Sequence, residues 1–493
     1  MAHPLRSLLA LGALTLPLVC GKTPAPQDGG PAPLRLVLSG WMEGHLEPCG
    51  CASAQSGGLD RRGYWLLRNQ HLYDLALEGG NLVGDWNALE DIELQTTLMV
   101  FGGFLERQGY RDQPLGPADL AAGLGVLGDY DQAFGPAFFA TDLRAVDGDK
   151  REAPFPTFRK VEAAGYKLLL LDLVGGGEAP AGTAFEPPAA AVTAAMKQAG
   201  QRGKDWDLAL CFAYEQGQDL RKLAAALPGI DVFVGCVRDH HMPGKPKPEV
   251  IEREGDPYGV ARTTLLFPEA RGRRLLLWQG LPDGHGSWKT VDAPQAIELP
   301  AYRNEARDEA GVPVRTNKDI WQALRDARRR VAEEGVLAKL AGRAEPDTGG
   351  RYVGNAACKD CHAAAYEVWK NSKHSHAWDS LVQRAKDDDL PVTKHPDCVG
   401  CHTIGYGDKT GFAGFAKTPD LVAVGCETCH GAGSKHVEAF RALPEGAAAE
   451  AVAEARKRGA LRKLEASFCF RCHNFEQSPG FQFTDRWKVI EHR

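Results

Sequence analysis

Short apolar runs alternate with longer helical patterns along residues 34–300, and this alternation predicts strands separated by helices. Strands are expected at Leu34–Leu38, Leu75–Leu77, Lys167–Val174, Leu208–Phe212, Ile230–Val234 and Arg274–Gln279. Helices are expected near Arg61–Asn69, Ile92–Gln108, Ala189–Ala199 and Leu220–Leu227. The pattern predicts an α/β layered sandwich in which functional side chains stand at the carboxyl ends of the strands.

The pattern changes after residue 300. A charged helix is expected at Lys318–Ala341, capped by Asn317, within a linker of residues 301–350. Residues 351–493 contain few apolar stretches and predict a mainly α-helical segment. Its helices should include one through Tyr366 and Trp369 and one at Ala447–Leu464. The chain is therefore predicted to be multidomain, with an α/β part followed by a helical part.

The first twenty residues predict an export signal, because Arg6 precedes an apolar run from Leu8 to Val19 that is too short to span a membrane. Cys20 ends this run at the position where a bacterial lipoprotein is acylated, and residues 21–33 form a Pro/Gly-rich linker. Lipid anchoring at Cys20 and simple secretion remain open alternatives. No second apolar run approaches the length of a membrane span, so none is expected in the mature chain.

Composition excludes several classes of protein. The 493 residues are 43% hydrophobic and 25% charged, which suits folded domains rather than disordered or collagen-like chains. The net charge of -6 gives no global basic field for nucleic acid. The 13 Cys and 15 His point instead to metal or cofactor chemistry.

Four motifs of the form Cys-x-x-Cys-His lie in the helical segment. They are Cys358, Cys361 and His362; Cys398, Cys401 and His402; Cys426, Cys429 and His430; and Cys469, Cys472 and His473. This spacing is that of covalent haem c attachment, because two thiols on one turn reach two vinyl groups and the next imidazole lies beneath the iron. The sequence therefore predicts four covalently attached haem c groups with these histidines as proximal ligands.

The sixth position of each iron decides between electron transfer and catalysis. Five further histidines of this segment are candidate distal ligands: His374, His436, His492, His376 and His395. The first three are the better placed, so one five-coordinate haem remains an open alternative.

The stretches Tyr352-Val353-Gly354, Ser372-Lys373-His374 and Gly425-Cys-Glu-Thr-Cys-His-Gly-Ala-Gly-Ser-Lys-His436 carry a resemblance. Together with the four motifs they resemble the tetrahaem cytochrome c family that takes electrons from hydroxylamine oxidoreductase. The resemblance covers residues 351–493 and implies closely packed haems, with His374 and His436 as distal ligands. It also implies that one haem lacks a distal protein ligand.

The N-terminal region resembles the calcineurin-like metallophosphatases, particularly the 5'-nucleotidase branch. The resemblance rests on Gly44-His45-Leu46-Glu47-Pro48, Glu78-Gly79-Gly80-Asn81 and Gly229-Ile230-Asp231-Val232-Phe233-Val234-Gly235. Positions where the family has metal ligands carry Trp41, Glu43, Asn81, Gly116-Pro117-Ala118-Asp119 and Gly235-Cys236-Val237-Arg238. Two-metal hydrolysis needs several carboxylate and imidazole ligands, so the resemblance implies a degenerate domain without phosphatase activity.

The N-terminal region also holds Cys49, Cys51, Cys211 and Cys236, each near or beyond the end of a predicted strand. Three interpretations stay open. The four thiols form two disulfides, they bind zinc or iron as one site, or they are unpaired.

The sequence as a whole predicts an exported tetrahaem c-type cytochrome that carries electrons, located in the periplasm or at the outer membrane of a bacterium. Its partners are expected to be redox proteins of the periplasm or outer surface, and the N-terminal domain is expected to be a scaffold or docking domain. One alternative is a multihaem oxidoreductase acting on a small nitrogen or oxygen species at a five-coordinate haem. The other is a residual metal-dependent phosphoesterase.

Overall fold

The computed structural model describes residues 31–47, 57–82, 91–134, 138–175, 178–214, 219–237, 248–299, 307–309, 312–473, 478 and 481–492. The predicted export signal with Cys20, and the loop with Cys49 and Cys51, lie outside these described residues. No helix among the described residues combines the length and the hydropathy of a membrane span.

The secondary structure divides into a strand-rich N-terminal region and a helical C-terminal region. The strands are β1 (Leu34–Leu38), β2 (Leu75–Leu77), β3 (Gln113–Pro114), β4 (Phe138–Phe139), β5 (Leu143–Asp147), β6 (Lys150–Glu152), β7 (Arg159–Ala163), β8 (Tyr166–Leu173), β9 (Thr183–Phe185), β10 (Leu208–Tyr214), β11 (Val232–Cys236), β12 (Glu249–Glu252), β13 (Arg262–Leu266), β14 (Arg274–Pro282), β15 (Trp288–Thr290) and β16 (Gln295–Glu298). The helices are α1 (Leu59–Arg68), α2 (Asp91–Arg107), α3 (Leu124–Phe134), α4 (Pro188–Ala199), α5 (Leu220–Ala226), α6 (Lys318–Glu333), α7 (Val336–Leu340), α8 (Ala356–Lys359), α9 (Ala363–Lys370), α10 (Ala377–Asp387), α11 (Pro396–His402), α12 (Cys426–His430), α13 (Ser434–Arg441), α14 (Ala449–Arg458), α15 (Ala466–Cys469) and α16 (Phe483–Ile490).

Two sheets pack face to face in the N-terminal region. One sheet has the order β15-β14-β1-β2, with β16 also paired to β14, and the other has the order β12-β13-β11-β10-β8-β7. In the second sheet β8, β10, β11 and β13 run parallel, and the edge strands β7 and β12 are antiparallel. One apolar core contains residues of both sheets, including Leu36, Leu210 and Trp278. The predicted α/β layered sandwich is confirmed.

The alternation of side chains along β1 shows how the layers are built. Leu34, Leu36 and Leu38 face the core between the sheets, whereas Val37 faces the opposite core with helices α1, α2 and α3. Successive residues of a strand point to opposite faces, so one apolar run fills two cores. The second sheet is covered on its outer face by α4 and α5. The region is therefore a four-layer arrangement of helices, sheet, sheet and helices.

The linker helix α6 belongs to both regions. Asn317 caps it, its side chain accepting a hydrogen bond from the Ile320 amide, as expected. Ile320 and Leu324 pack in the N-terminal core with α1 and α2. The helix ends at Glu333 rather than at Ala341, because Gly335 has φ +68° and starts the separate helix α7. Leu337 of α7 then packs in the C-terminal core.

Arg325 joins α6 to the C-terminal region. Its guanidinium donates hydrogen bonds to the carbonyl oxygens of Asp388 and Asp389, at 2.5 and 3.0 Å, and lies 4.4 Å from the Trp321 ring centre. Replacing Arg325 with glutamine is expected to lower the free energy of unfolding by about 2 kcal/mol, because charged hydrogen bonds to half-buried carbonyls are lost. Cleavage between the two regions by a protease should also accelerate.

Arg329 provides the matched control for that experiment, since it lies on the same helix and bonds the exposed carboxylates of Asp326 and Asp389. Exposed ion pairs contribute little, so Arg329→Gln should leave stability and cleavage rate near those of the unaltered protein. Equal effects of the two substitutions would contradict a specific role for Arg325.

The C-terminal region has a small core for its length. Among its described residues, one apolar cluster surrounds α11 and includes Trp378, Val399 and Phe412. The helices α8, α9, α15 and α16 contain no buried residue. Val489 is 64% exposed and Phe470 48% exposed. Apolar side chains on or next to these helices are therefore exposed to solvent, and a large apolar group bound here would cover them.

Candidate haem-binding site

Each Cys-x-x-Cys-His motif lies on a short helix or at its end. The second and third motifs lie within α11 and α12, and the first and fourth begin in α8 and α15. In the first and fourth motifs the histidine amide donates to the carbonyl of the first cysteine, at 2.9 Å for His362 and 2.8 Å for His473. This turn brings both thiols and the imidazole to one side of the chain.

Three histidines of the motifs lie opposite a second histidine. The ring centres are 6.1 Å apart for His362 and His436, 5.9 Å for His374 and His473, and 5.9 Å for His430 and His492. A metal–imidazole bond is about 2 Å long and the ring nitrogen lies about 1 Å from the ring centre, so imidazoles on both sides of one metal ion have centres about 6 Å apart. Each pair thus has the spacing of two axial ligands.

Hydrogen bonds orient several of these imidazoles through Nδ1. The acceptor is the Ala377 carbonyl for His402 at 2.6 Å, the Gly459 carbonyl for His436 at 3.1 Å and the Ile490 carbonyl for His492 at 2.8 Å. Nδ1 of His473 lies 3.0 Å from the Ser478 hydroxyl. A bond at Nδ1 leaves the Nε2 lone pair for a metal ion.

Burial makes the neutral imidazole the favoured form, which is the form that binds a metal ion. Desolvation lowers the pKa of four of these rings: His374, His402, His430 and His473.

His402 differs from the other motif histidines. Among the described residues, which include every candidate distal ligand, no second imidazole lies against its ring. His376 is exposed, with its Nδ1 3.3 Å from Asp379. His395 is buried beside Asp397 and Arg328, and burial followed by the Arg328 charge lowers its pKa to about 4. The structure therefore brings neither of these two candidates opposite His402.

Thiols of different motifs are neighbours. The Cys358 thiol lies near that of Cys426, the Cys401 thiol near that of Cys472, and the Cys429 thiol near that of Cys469. The first motif therefore adjoins the third, the third adjoins the fourth, and the fourth adjoins the second. This order differs from the order of the motifs in the chain.

The donor set fits haem c. The chain provides paired thiols, an imidazole beside each pair, three opposed imidazoles at the spacing of axial ligands, and uncovered apolar helices around them. Sequence reasoning proposed all of these side chains but not which distal histidine faces which motif. It also missed Glu427, a buried carboxylate inside the third motif. Gly354 and Gly433, whose amides donate to this carboxylate, are the residues in the sequence that allow the backbone to approach it closely.

The N-terminal positions that the metallophosphatase resemblance singled out have other contacts. Trp41 stacks on Tyr214 with ring centres 5.9 Å apart, and Glu43 forms an ion pair with Arg271 at 2.6 Å. The Asn81 side chain accepts a hydrogen bond from the Ala118 amide at 2.7 Å. Each of these side chains is therefore engaged within the protein. Within the described residues no group of three or more His, Cys, Asp or Glu could hold a metal ion.

The N-terminal cysteines are not brought together by the described part of the chain. Cys211 packs with α4 and α5 on the outer face of its sheet, whereas Cys236 faces the core between the sheets. Both thiols are free and fully buried. Because they point to opposite faces of one sheet, the prediction of a single four-thiolate metal site does not fit this arrangement. Cys49 and Cys51 lie outside the described residues, so the disulfide alternative stays a prediction.

Comparison with known proteins agrees with the class that these motifs define. Residues 357–431 match the family model described as cytochrome c554 and c-prime. A curated relative, cytochrome c-554 of Nitrosomonas europaea, is 36% identical over 143 residues, covering 26% of this chain and 60% of the relative. The chain thus spans about three fifths of that protein. The resemblance inferred from the C-terminal motifs is confirmed, and the match supports a c-type cytochrome that binds haem.

Two solved structures are similar to parts of this chain. A 5'-nucleotidase precursor from Thermus thermophilus is 18% identical with a TM-score of 0.48, covering 73% of this chain and 68% of that chain. The reduced state of cytochrome c554 from Nitrosomonas europaea is 28% identical with a TM-score of 0.21, covering 29% of this chain and 79% of that chain.

Proposed function

We propose that the chain is an exported tetrahaem c-type cytochrome that carries electrons, with an N-terminal domain that is a scaffold or docking domain. The observation that carries the proposal is the set of three imidazole pairs at 5.9–6.1 Å, each joining a motif histidine to a histidine from elsewhere in the chain. Two axial imidazoles leave no position for a substrate, which favours electron transfer. Haem c, when bound, supplies a one-electron Fe(III)/Fe(II) couple.

The motif histidines define four proposed haem positions. His362 with His436, His430 with His492, and His473 with His374 are the proposed ligand pairs, and His402 is the proposed single ligand. The eight motif cysteines are the proposed attachment points. The thiol contacts support an array in the order first, third, fourth, second motif. Because neighbouring motifs adjoin at three places, four haems bound there would form a continuous path for electrons from one end of the array to the other.

Export is part of the proposal and rests on the apolar run from Leu8 to Val19. The periplasm or the outer surface of a bacterium is the proposed location, and redox proteins there are the proposed partners. Acylation of Cys20 and secretion without an anchor are distinguished by the mass of the mature N-terminus.

A test of the main proposal begins with the absorption spectrum of the purified protein. Four haems per chain are expected, three low-spin and one high-spin, because only His402 lacks an opposed imidazole among the described residues. Carbon monoxide should shift the spectrum of one haem in the reduced protein. Fewer than three low-spin haems would contradict the ligand pairs.

A second candidate function follows from His402. An open iron position at the second motif would suit an oxidoreductase that binds a small nitrogen or oxygen species. Nitrite or hydroxylamine that shifts the high-spin spectrum and is turned over would favour this enzyme. A shift without turnover would favour the carrier.

The N-terminal domain is proposed to lack phosphatase activity. Support comes from Trp41, Glu43 and Asn81, which stand at positions implied for metal ligands and are held by Tyr214 and other protein groups. Incubation of the protein with a model phosphate ester and added Mn²⁺ should release no more phosphate than a control cytochrome that has a similar haem domain but no N-terminal domain. Release that a chelator abolishes would overturn this proposal.

A further inference from the structure

Glu427 lies in the third motif, between Cys426 and Thr428, and its side chain is buried, with 2% of the residue exposed. All of its described hydrogen-bond donors are backbone amides. Oε1 accepts from Val353 at 3.0 Å and from Gly433 at 2.7 Å, and Oε2 accepts from Val353 at 3.0 Å and from Gly354 at 2.7 Å. A carboxylate is suited to this arrangement because it has two acceptor oxygens and no hydrogen to place.

The backbone around Glu427 is shaped to reach it. Gly354 has φ +78°, which turns its amide and that of Val353 toward the same carboxylate. A Cβ on Gly433 would lie 3.2 Å from Oε1, so a side chain there would press on the carboxylate. A second bond runs in parallel, from the Cys426 amide to the Asn355 side chain at 2.8 Å. The third motif is thus tied to two other segments at one point.

The two segments that Glu427 holds lead to the two imidazoles of one pair. Residues 353–355 directly precede α8 and the first motif, which ends at His362. Gly433 directly precedes α13, which carries His436. A third link closes the group, because the Arg351 amide donates to the Ser434 hydroxyl at 2.9 Å and the Ser434 amide donates to the Arg351 carbonyl at 3.1 Å.

We infer that Glu427, a residue of the third motif, is the positioning residue for the ligand pair of the first motif. It fixes the separation between the segment leading to His362 and the segment leading to His436. A bond between the iron and an axial imidazole would be about 2 Å long, so moving either ring by a fraction of that length would break the bond. A carboxylate that holds both segments in place therefore sets the spin state of the first-motif haem. This inference rests on the proposed haem ligation.

The discriminating variant is Glu427→Gln. Glutamine has one acceptor oxygen and an amide group that would face backbone N–H groups, so two of the four bonds are lost. We expect the haem content to stay at four per chain while one further haem becomes high-spin and binds carbon monoxide. The high-spin fraction should double, from one haem in four to two in four, and added imidazole should bind both open irons and make both haems low-spin.

Glu438→Gln is the matched control. Glu438 lies on α13 two residues after His436, but it is exposed and its only described partner is Arg351 at 3.4 Å. The same chemical change there should leave the spectrum unaltered. Glu427→Gln should also have no added effect in a chain that already carries His436→Ala, because both changes then act on the same bond.

Each remaining outcome decides the inference. If Glu427→Gln gives the spectrum of the unaltered protein, or adds to the effect of His436→Ala, the inference is wrong. Should Glu427→Gln not accumulate with four haems, Ser434→Ala removes one link of the same group, and a wild-type spectrum of that variant would overturn the inference. Unaltered protein that lacks bis-histidine spectra would instead contradict the proposed function, so the two failures are distinguishable.

Discussion

Replacing His436 with alanine is expected to convert one haem of the unaltered array from low-spin to high-spin. His436 faces His362 at 6.1 Å between ring centres, and no other described imidazole lies against His362. Losing one axial ligand weakens the ligand field of a single iron and opens one position for carbon monoxide. The number of haems that bind carbon monoxide should rise from one to two per chain, measured by titration of the reduced protein. Electron paramagnetic resonance should show the loss of one low-spin signal.

The control for this experiment is His376→Ala. His376 is also a histidine of the same region and is a candidate ligand by sequence, but its side chain is 68% exposed and faces Asp379. Its removal should leave the spectrum and the carbon monoxide titration unchanged. If both substitutions open one haem, or neither does, the proposed pairing of His362 with His436 is wrong.

Replacing Arg62 with methionine is expected to destabilise the N-terminal domain strongly. The Arg62 guanidinium lies 2.5 Å from the Glu78 carboxylate, and their side chains are 1% and 0% exposed. Arg62 also donates to the Tyr110 hydroxyl at 2.7 Å. Removal of one partner leaves a buried charge without compensation, which costs about 3–5 kcal/mol. Calorimetry should show a lower unfolding temperature for the N-terminal domain, with unchanged haem spectra below that temperature.

The control variant Arg221→Met tests whether the expected loss of stability comes from burial of the ion pair or from ion pairing alone. The Arg221 side chain lies 2.6 Å from Glu249, nearly the same distance as in the buried pair, but it is 61% exposed. Water and salt screen such a pair, so its loss should not measurably change the unfolding temperature. Equal shifts for the two variants would show that burial of the Arg62 charge is not the cause.

The sequence predicts the apolar strands better than the strands that contain many polar residues, for a physical reason. β1, β8, β10 and β14 are apolar runs that fill cores on their faces, so their composition alone identifies them. β7 and β12 mix charged and apolar residues at the edges of a sheet, and the sequence pattern predicts neither. Their conformation depends on hydrogen bonds to β8 and β13, which a local pattern does not contain.

The candidate site divides in a similar way. The spacing within each motif is local, so the sequence predicts the attachment cysteines and proximal histidines directly. Which distal histidine faces which motif depends on tertiary packing, and the facing partners come from distant parts of the chain. The helix expected at Ala447–Leu464 ends at Arg458, because the backbone of Gly459 lies against His436: a Cβ there would meet the His436 Cα at 2.6 Å. That contact also could not be predicted from local sequence.

The proposed ligand pairs have a consequence for how the C-terminal region unfolds. The chain spans from His362 to His436, from His374 to His473 and from His430 to His492 overlap one another. A bond that closes a loop restricts the unfolded chain in the same way as a covalent cross-link, and longer loops gain more. Since the loops interleave, no segment can leave the array without releasing a ligand that another segment holds. Loss of structure in this region should therefore be all-or-none, although its apolar core is small.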